Sequence, residues 1–190
     1  MTDSGLPSTF TTTDAKSHGL SRRTLQRMLA EGSVERIERG LYRRVNEDLI
    51  DYDLVEIAIR ARRPTLCLIS ALARHELTDI IPAVHDVALP RGSWQPRVSA
   101  PVRWHMFDAS TFGIGRDEIL VDETHPLGVY SPPRTIIDAF RLRHEIGSDI
   151  ANEALRRWLR HGGEAGELIR TANHFRAAKP ALVHALQVLL

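Results

Sequence analysis

The chain has 190 residues, of which 43% are hydrophobic and 26% charged, enough for one domain or two small ones and inconsistent with intrinsic disorder. A single cysteine, Cys67, excludes an internal disulfide, and nine scattered histidines without a Cys-x-x-Cys give none of the common structural zinc patterns. The net charge is only +1, but residues 1–45 hold eight Lys/Arg against five Asp/Glu and the remainder seventeen against nineteen, so the basic excess is local. Met1 leads into polar residues with no basic or apolar leader, and no stretch approaches the ~18 apolar residues of a membrane span, so a cytoplasmic protein is expected.

Residues 1–9 read as a flexible arm. Thr11 can then cap a short helix, with Asp14 three residues on as a weak capping box. Gly19 stops that helix, because glycine takes the left-handed conformation of a C-terminal cap without steric cost. Ser21 caps a second helix over 22–31, with Leu20 and Leu25 at the spacing of a hydrophobic staple, and Gly32 ends it. Leu25, Met28 and Leu29 form its buried face. Arg22, Arg23, Gln26 and Arg27 form the other. Two arginines beside a positive helix end are unfavourable unless an anionic partner relieves them.

Val34-Glu35-Arg36-Ile37 and Leu41-Tyr42-Arg43-Arg44-Val45 flank a turn at Arg39-Gly40, the pattern of a two-stranded wing. Two helices joined by a glycine turn, the second one basic, form a helix-turn-helix pattern. In that reading the second helix enters the major groove of duplex DNA and the wing grips phosphate or the minor groove. The site residues are Ser21, Arg22, Arg23, Thr24, Gln26 and Arg27 on the helix, with Arg36, Arg39, Arg43 and Arg44 on the wing. The competing reading is a solvated basic helical hairpin without a ligand. Two helices cannot enclose a core alone. Either residues 1–9 are more ordered than they look, or a third helix comes from downstream, the best donor being 48–62 with its broad apolar face.

The character changes at Pro64, which divides the chain into a winged helix-turn-helix over 1–63 and a second domain over 64–190. An apolar helix is expected from about Leu66 to Leu77. Strand signals follow at Asp86–Leu89, Val102–Phe107, Ile119–Asp122 and Gly128–Tyr130, separated by Pro- and Gly-rich gaps. Ser131-Pro132-Pro133 opens a helix, with Ser131 as N-cap and proline at the first position. Its core side holds Ile136, Ile137, Ala139, Phe140 and Leu142, and Arg134 and Asp138 form an i,i+4 pair. Helices over about 148–161, 164–176 and 180–190 close the chain. Leu68, Leu72, Ile136, Ile137, Phe140, Ala154, Leu155 and Leu159 are the expected core. Strands in the middle and helices at the end give an α+β class: an N-terminal winged helix-turn-helix followed by a mixed α/β domain.

Catalytic signals are weak. Gly113-Ile-Gly115 lacks the third glycine and the βαβ context of a dinucleotide loop, and Pro90-Arg91-Gly92-Ser93 reads as a turn leaving a strand. His75, His105 and His125 are too dispersed for a metal site, and Ser70 is followed by no obvious base. Trp94 and Trp104 read as core or interface residues. Neither a cofactor nor a metal is expected.

Gly19-Leu20-Ser21-Arg22-Arg23-x-Leu25, Gly32-x-Val34-x-Arg36 and Arg39-Gly40-Leu41-Tyr42 resemble the winged-helix start of the AbiEi antitoxins of type IV toxin–antitoxin and abortive-infection systems. Ile69-Ser70-Ala71-Leu72 with His75-x-Leu77, Ala88-Leu89-Pro90-Arg91-Gly92 and Ser131-Pro132-x-Arg134-Thr135-x-x-Asp138 resemble their C-terminal domain. The resemblance runs over roughly residues 10–190 and lacks a helix before Phe10. It implies a repressor binding repeats in its own promoter and an antitoxin counteracting a nucleotidyltransferase-like toxin, in several members without a stable complex. Some members have been described as atypical serine kinases acting on the toxin. The alternative from the residues is an operon regulator whose C-terminal domain binds a ligand or dimerises.

Overall fold

A computed structural model describes residues 6–45 and 51–189. The chain divides into two compact units. One comprises the residues up to Arg60 with Arg97–Ala100 and Leu120–Pro126; the other comprises Ala61–Pro96, Pro101–Ile119 and the chain from Leu127 onward.

The first unit opens with strand β1 (Thr9–Thr11), then helices α1 (Thr12–Ser17) and α2 (Arg22–Ala30), the hairpin β2 (Val34–Glu38) and β3 (Leu41–Arg44), and helix α3 (Tyr52–Arg60). The local signals act as the spacing predicts. Thr11 accepts from the Asp14 amide while Asp14 accepts from the Thr11 amide, so the capping box is complete. Gly19 adopts a φ of +76°, which lets the chain reverse between the helices. The Ser21 hydroxyl accepts from the Thr24 amide at 3.0 Å and caps α2.

Residues 6–9 are not a free arm, which corrects that expectation; residues 1–5 of the arm lie outside the described residues. β1 pairs antiparallel with β3, Phe10 opposite Tyr42, to give a three-stranded sheet of order β1-β3-β2. Leu6, Phe10, Ala15, Leu25, Val34 and Tyr42 form the buried cluster, with Leu20, Met28 and Leu29 packed against it. Phe10 is fully buried and stacks on Tyr42 at 5.8 Å between ring centroids. An added strand and its apolar residues thus close this core. α3, whose predicted start over 48–50 lies outside the described residues, buries Leu54, Val55 and Ile57 and reaches the hairpin through Tyr52 and Arg60.

The second unit is a mixed sheet with helices. Strands β4 (Thr65–Leu66), β5 (His85–Pro90), β6 (Val102–Phe107), β7 (Arg116–Leu120) and β8 (Pro126–Tyr130) lie in the order β6-β5-β4-β8-β7. β4 runs antiparallel to β5 and parallel to β8, and β5 runs parallel to β6. β4 is a correction: the apolar run after Pro64 is a short strand before helix α4 (Leu68–Arg74), and that helix ends earlier than Leu77. β7 likewise begins before Ile119. Helices α5 (Pro132–Arg141), α6 (Arg143–Ile146), α7 (Ser148–Arg160), α8 (Ala165–Ala172) and α9 (Lys179–Leu189) complete the unit. Their core contains Leu72, Ile136, Ile137, Phe140, Ala154 and Leu155, as the spacing predicts, with Leu159 packed at its edge. Leu68 is buried in a second cluster with Phe107, Phe112 and Tyr130. Trp94 is 75% exposed and therefore not core.

The Arg134–Asp138 i,i+4 pair forms, and it lies in the interior. Both side chains are fully buried at 2.9 Å, Arg134 also donates to the carbonyls of Thr111 and Ile114, and its guanidinium lies 4.1 Å from the Tyr130 ring centroid. Burial pushes the Asp138 carboxyl upward, opposed by Arg134 and Arg141. Removing one partner of such a pair strands the other charge, which is the expensive event.

Candidate nucleic-acid interface

α2 is amphipathic, and its exposed side carries Arg22, Arg23, Gln26 and Arg27, with Ser21 at its cap. The cap positions these side chains and also uses some of them. The Ser21 hydroxyl lies 2.8 Å from that of Thr24 as well as accepting its amide, so both hydroxyls serve the helix start. Arg27 lies 3.7 Å from Glu31 with both side chains more than half exposed, an ion pair of little energetic consequence.

The hairpin supplies the second wall. Its register runs Val34↔Arg44, Glu35↔Arg43 and Arg36↔Tyr42, then shifts at Glu38↔Leu41, so Ile37 is the extra residue of a bulge. The turn closes at Arg39-Gly40 with Gly40 at a φ of +82°. Arg36 and Arg39 are exposed, and Arg36 donates through Nε to the Glu38 carbonyl at 3.1 Å. Arg43 and Arg44 are placed differently. Arg43 is ion-paired with Glu35 and lies 4.5 Å from the Tyr52 ring centroid, and Glu35 holds its guanidinium firmly protonated. Arg44 donates to the Leu6 carbonyl at 3.4 Å.

Between α1, the start of α2 and the hairpin lies an open cleft of about 850 Å³. Of the ten predicted site residues, Ser21, Arg22, Gln26, Arg36 and Arg39 line it, whereas Arg23, Thr24, Arg27, Arg43 and Arg44 do not. Lys16 and Arg60 line it too, and sequence reasoning missed both. Lys16 stands on the exposed face of α1, a signal that could have been read. Arg60 is 21 residues beyond the wing turn and gives no local sign. Five cations and no carboxylate are among the described lining residues, while Ala15, Leu20, Leu25 and Tyr42 form the apolar part of the wall. An anion track with a hydrogen-bonding amide, Gln26, on one side is what this arrangement offers chemically.

Beneath the wing tip, Glu56 is 2% exposed and accepts from the amides of Ser99 and Ala100 at 3.0 Å. Burial pushes its carboxyl upward, and its hydrogen bond with Glu38 adds to the effect. That bond holds Glu38 below its usual range, although burial opposes it.

In the second unit, the polar residues tested for catalysis have structural partners. Ser70 Oγ accepts from the Asp86 amide at 2.8 Å, His105 Nε2 lies 2.9 Å from the Asp86 carboxylate, and His75 Nε2 lies 2.7 Å from the Tyr130 carbonyl. Gly92 and Gly115 both have positive φ and occupy turns: the Ser93 amide donates to the Pro90 carbonyl, and the Arg116 amide to the Gly113 carbonyl. No helix among the described residues is long and apolar enough to cross a membrane.

Compared with curated proteins, the chain has no match. Against protein families, residues 4–45 match the model described as transcriptional regulator, AbiEi antitoxin. The matched segment begins just before Leu6 and ends with β3, so it takes in the strand, the two helices and the wing that form one core. The N-terminal module of this chain is therefore a winged helix-turn-helix matching the AbiEi antitoxin transcriptional regulators.

Proposed function

We propose that the chain represses its own operon by binding repeats in the promoter, and neutralises a nucleotidyltransferase-like toxin. The family match over residues 4–45 supports an antitoxin and regulator role. The observation that carries the DNA reading is the cleft: Arg22 and Gln26 from α2 and Arg36 and Arg39 from the wing converge on one basic groove. In this reading residues 1–63 bind DNA and 64–190 carry the antitoxin activity. Arg22 and Gln26 read base edges from the cleft, and Arg23 and Arg27 from the exposed side of α2 outside it, because Arg and Gln make paired hydrogen bonds to guanine and adenine. Arg36 and Arg39 neutralise phosphates and hold the register. Ser21 and Thr24 order the helix start, and Arg43 and Arg44 brace the wing. Binding of the full chain to its own promoter, followed across a salt series, is the test. A logarithmic affinity falling steeply with salt and a preference over random duplex are expected. Salt-independent or absent binding refutes the reading.

A second reading, an operon regulator whose second domain binds a ligand or dimerises, draws on a groove of about 390 Å³ between α5, α7 and α9, lined by Phe140, Ala181 and Ala185 together with Asn152, Arg156 and His184. Co-expression with the adjacent gene separates the two: rescue from toxicity supports the antitoxin, and its absence with repression intact supports the plain regulator.

A further inference from the structure

We infer that Arg60, on α3 and outside the family-matched segment, is a positioning residue for the wing: it fixes the Arg39-Gly40 turn so that the Arg39 side chain lines the cleft. The inference rests on reading that cleft as the DNA groove. Arg60 Nη2 donates to the Glu38 carboxylate and to the Arg39 carbonyl, both at 3.0 Å. These acceptors belong to the two residues entering the turn, so one guanidinium spans the wing tip. The tip needs such a tether. Its ladder is interrupted by the bulge at Ile37, so a single pair, Glu38↔Leu41, lies between the bulge and the turn. The tip is also tied by the Thr12 amide donating to the Gly40 carbonyl at 3.1 Å and, within the hairpin, by Arg36 Nε donating to the Glu38 carbonyl at 3.1 Å, but among the described residues Arg60 alone spans Glu38 and Arg39 together.

Arg60 acts through Arg39 and not as a phosphate contact in its own right. Its charge is already opposed by Glu38, which is itself hydrogen-bonded to the buried Glu56. Both bonds use Nη2, which fixes the guanidinium at the tip. Arg39, by contrast, gives its carbonyl to Arg60 and keeps its side chain exposed on the cleft.

A double-mutant cycle on the full chain tests this. Wild type, Arg60→Met, Arg39→Ala and the double variant are titrated with the chain's own promoter duplex and a random duplex of equal length, over a salt series. Arg60→Met keeps the aliphatic stem and removes the donors. It is expected to weaken binding roughly three- to tenfold alone and hardly at all in the Arg39→Ala background, as coupled residues do. The salt slope should flatten by about one unit in each single variant and no further in the double. Additive losses, with a second unit of slope lost in the double, overturn the proposal and make Arg60 a direct phosphate contact. Hydrogen exchange at Arg39–Leu41, measured without DNA, is the independent arm. Arg60→Met should speed it severalfold, and unchanged exchange also overturns the proposal. A wild type that binds neither duplex while exchange still accelerates in Arg60→Met sinks the DNA reading and leaves the clamp standing.

Discussion

At the scale of single residues, the arginines of the first unit differ by what already neutralises them. Arg43 is paired with Glu35 and stacked on Tyr52, whereas Arg39 stands on the cleft. Arg39→Ala should weaken all duplexes alike and flatten the salt dependence by about one unit of slope. Arg23→Ala should instead cost about 1–3 kcal/mol on the specific site and relax preference at one position. Arg43→Ala should destabilise the fold by about 1 kcal/mol, through a half-exposed ion pair and a ring contact, with less effect on DNA than Arg39→Ala. Titrations on specific and random duplexes, with urea melts beside them, separate the three. Glu56 gives a pH signature. Burial raises its carboxyl above the ordinary 4.5, so the folded chain keeps a proton that the unfolded chain releases. Stability from this group is therefore lost as pH rises from 4.5 through the folded-state value. Glu38 runs the opposite way: its carboxyl is lowered, and its contribution is lost as pH falls through that lowered value. Glu56→Gln can still accept from Ser99 and Ala100 and donate to Glu38. Its stability relative to wild type should improve as pH rises from about 4.5 toward neutrality. Parallel urea-midpoint profiles for the two proteins would contradict that placement of the proton.

At the scale of elements, β1 is the piece that completes the winged helix. Two short helices and a hairpin leave one face of Tyr42 and Leu25 uncovered, and Phe10 with Leu6 covers it. Phe10→Ala should cost about 3–5 kcal/mol, since the ring is fully buried and the site is closed by a strand that cannot collapse inward. A loss below about 1 kcal/mol in chemical denaturation would mean that α1, α2 and the hairpin hold together without it. In the second unit the same logic runs through α5. Its N-terminal prolines start the helix, yet Ser131 makes no side-chain cap; the first turn is tied instead by the Thr135 hydroxyl on the Tyr130 carbonyl and by buried Arg134.

At the scale of the whole molecule, the proposed function puts repression and neutralisation in different parts of the chain, so on that proposal they should fail independently. Arg22→Ala with Arg39→Ala in the full chain removes one cation from each wall of the cleft. Both side chains are exposed, so folding should be unaffected. The double variant should lose repression of a promoter reporter and still protect cells carrying the adjacent toxin gene. Loss of protection by a folded double variant would show that the two activities share the winged helix.

The features legible in the chain before it folds are those set within a few residues of each other. The capping box at Thr11 and Asp14, the turn at Gly19, the cap at Ser21, the wing turn at Gly40 and the proline start of α5 all follow from satisfying backbone groups locally. The apolar spacing of α5 and α7 is of the same kind, and their core residues were legible for that reason. Whatever joins distant residues came from packing. A three-residue strand such as β1 carries too little periodicity to announce itself, and it is a strand only because β3, more than thirty residues away, offers a free edge. The same holds for the two-residue β4 between β5 and β8. Arg22 and Arg23 are adjacent and chemically alike, yet one faces the cleft and the other does not, because a helix turns about 100° per residue and only the neighbouring wing gives that angle a meaning. Arg134 and Asp138 have the spacing of a solvent pair and became a buried one when the Thr111 and Ile114 carbonyls closed over them.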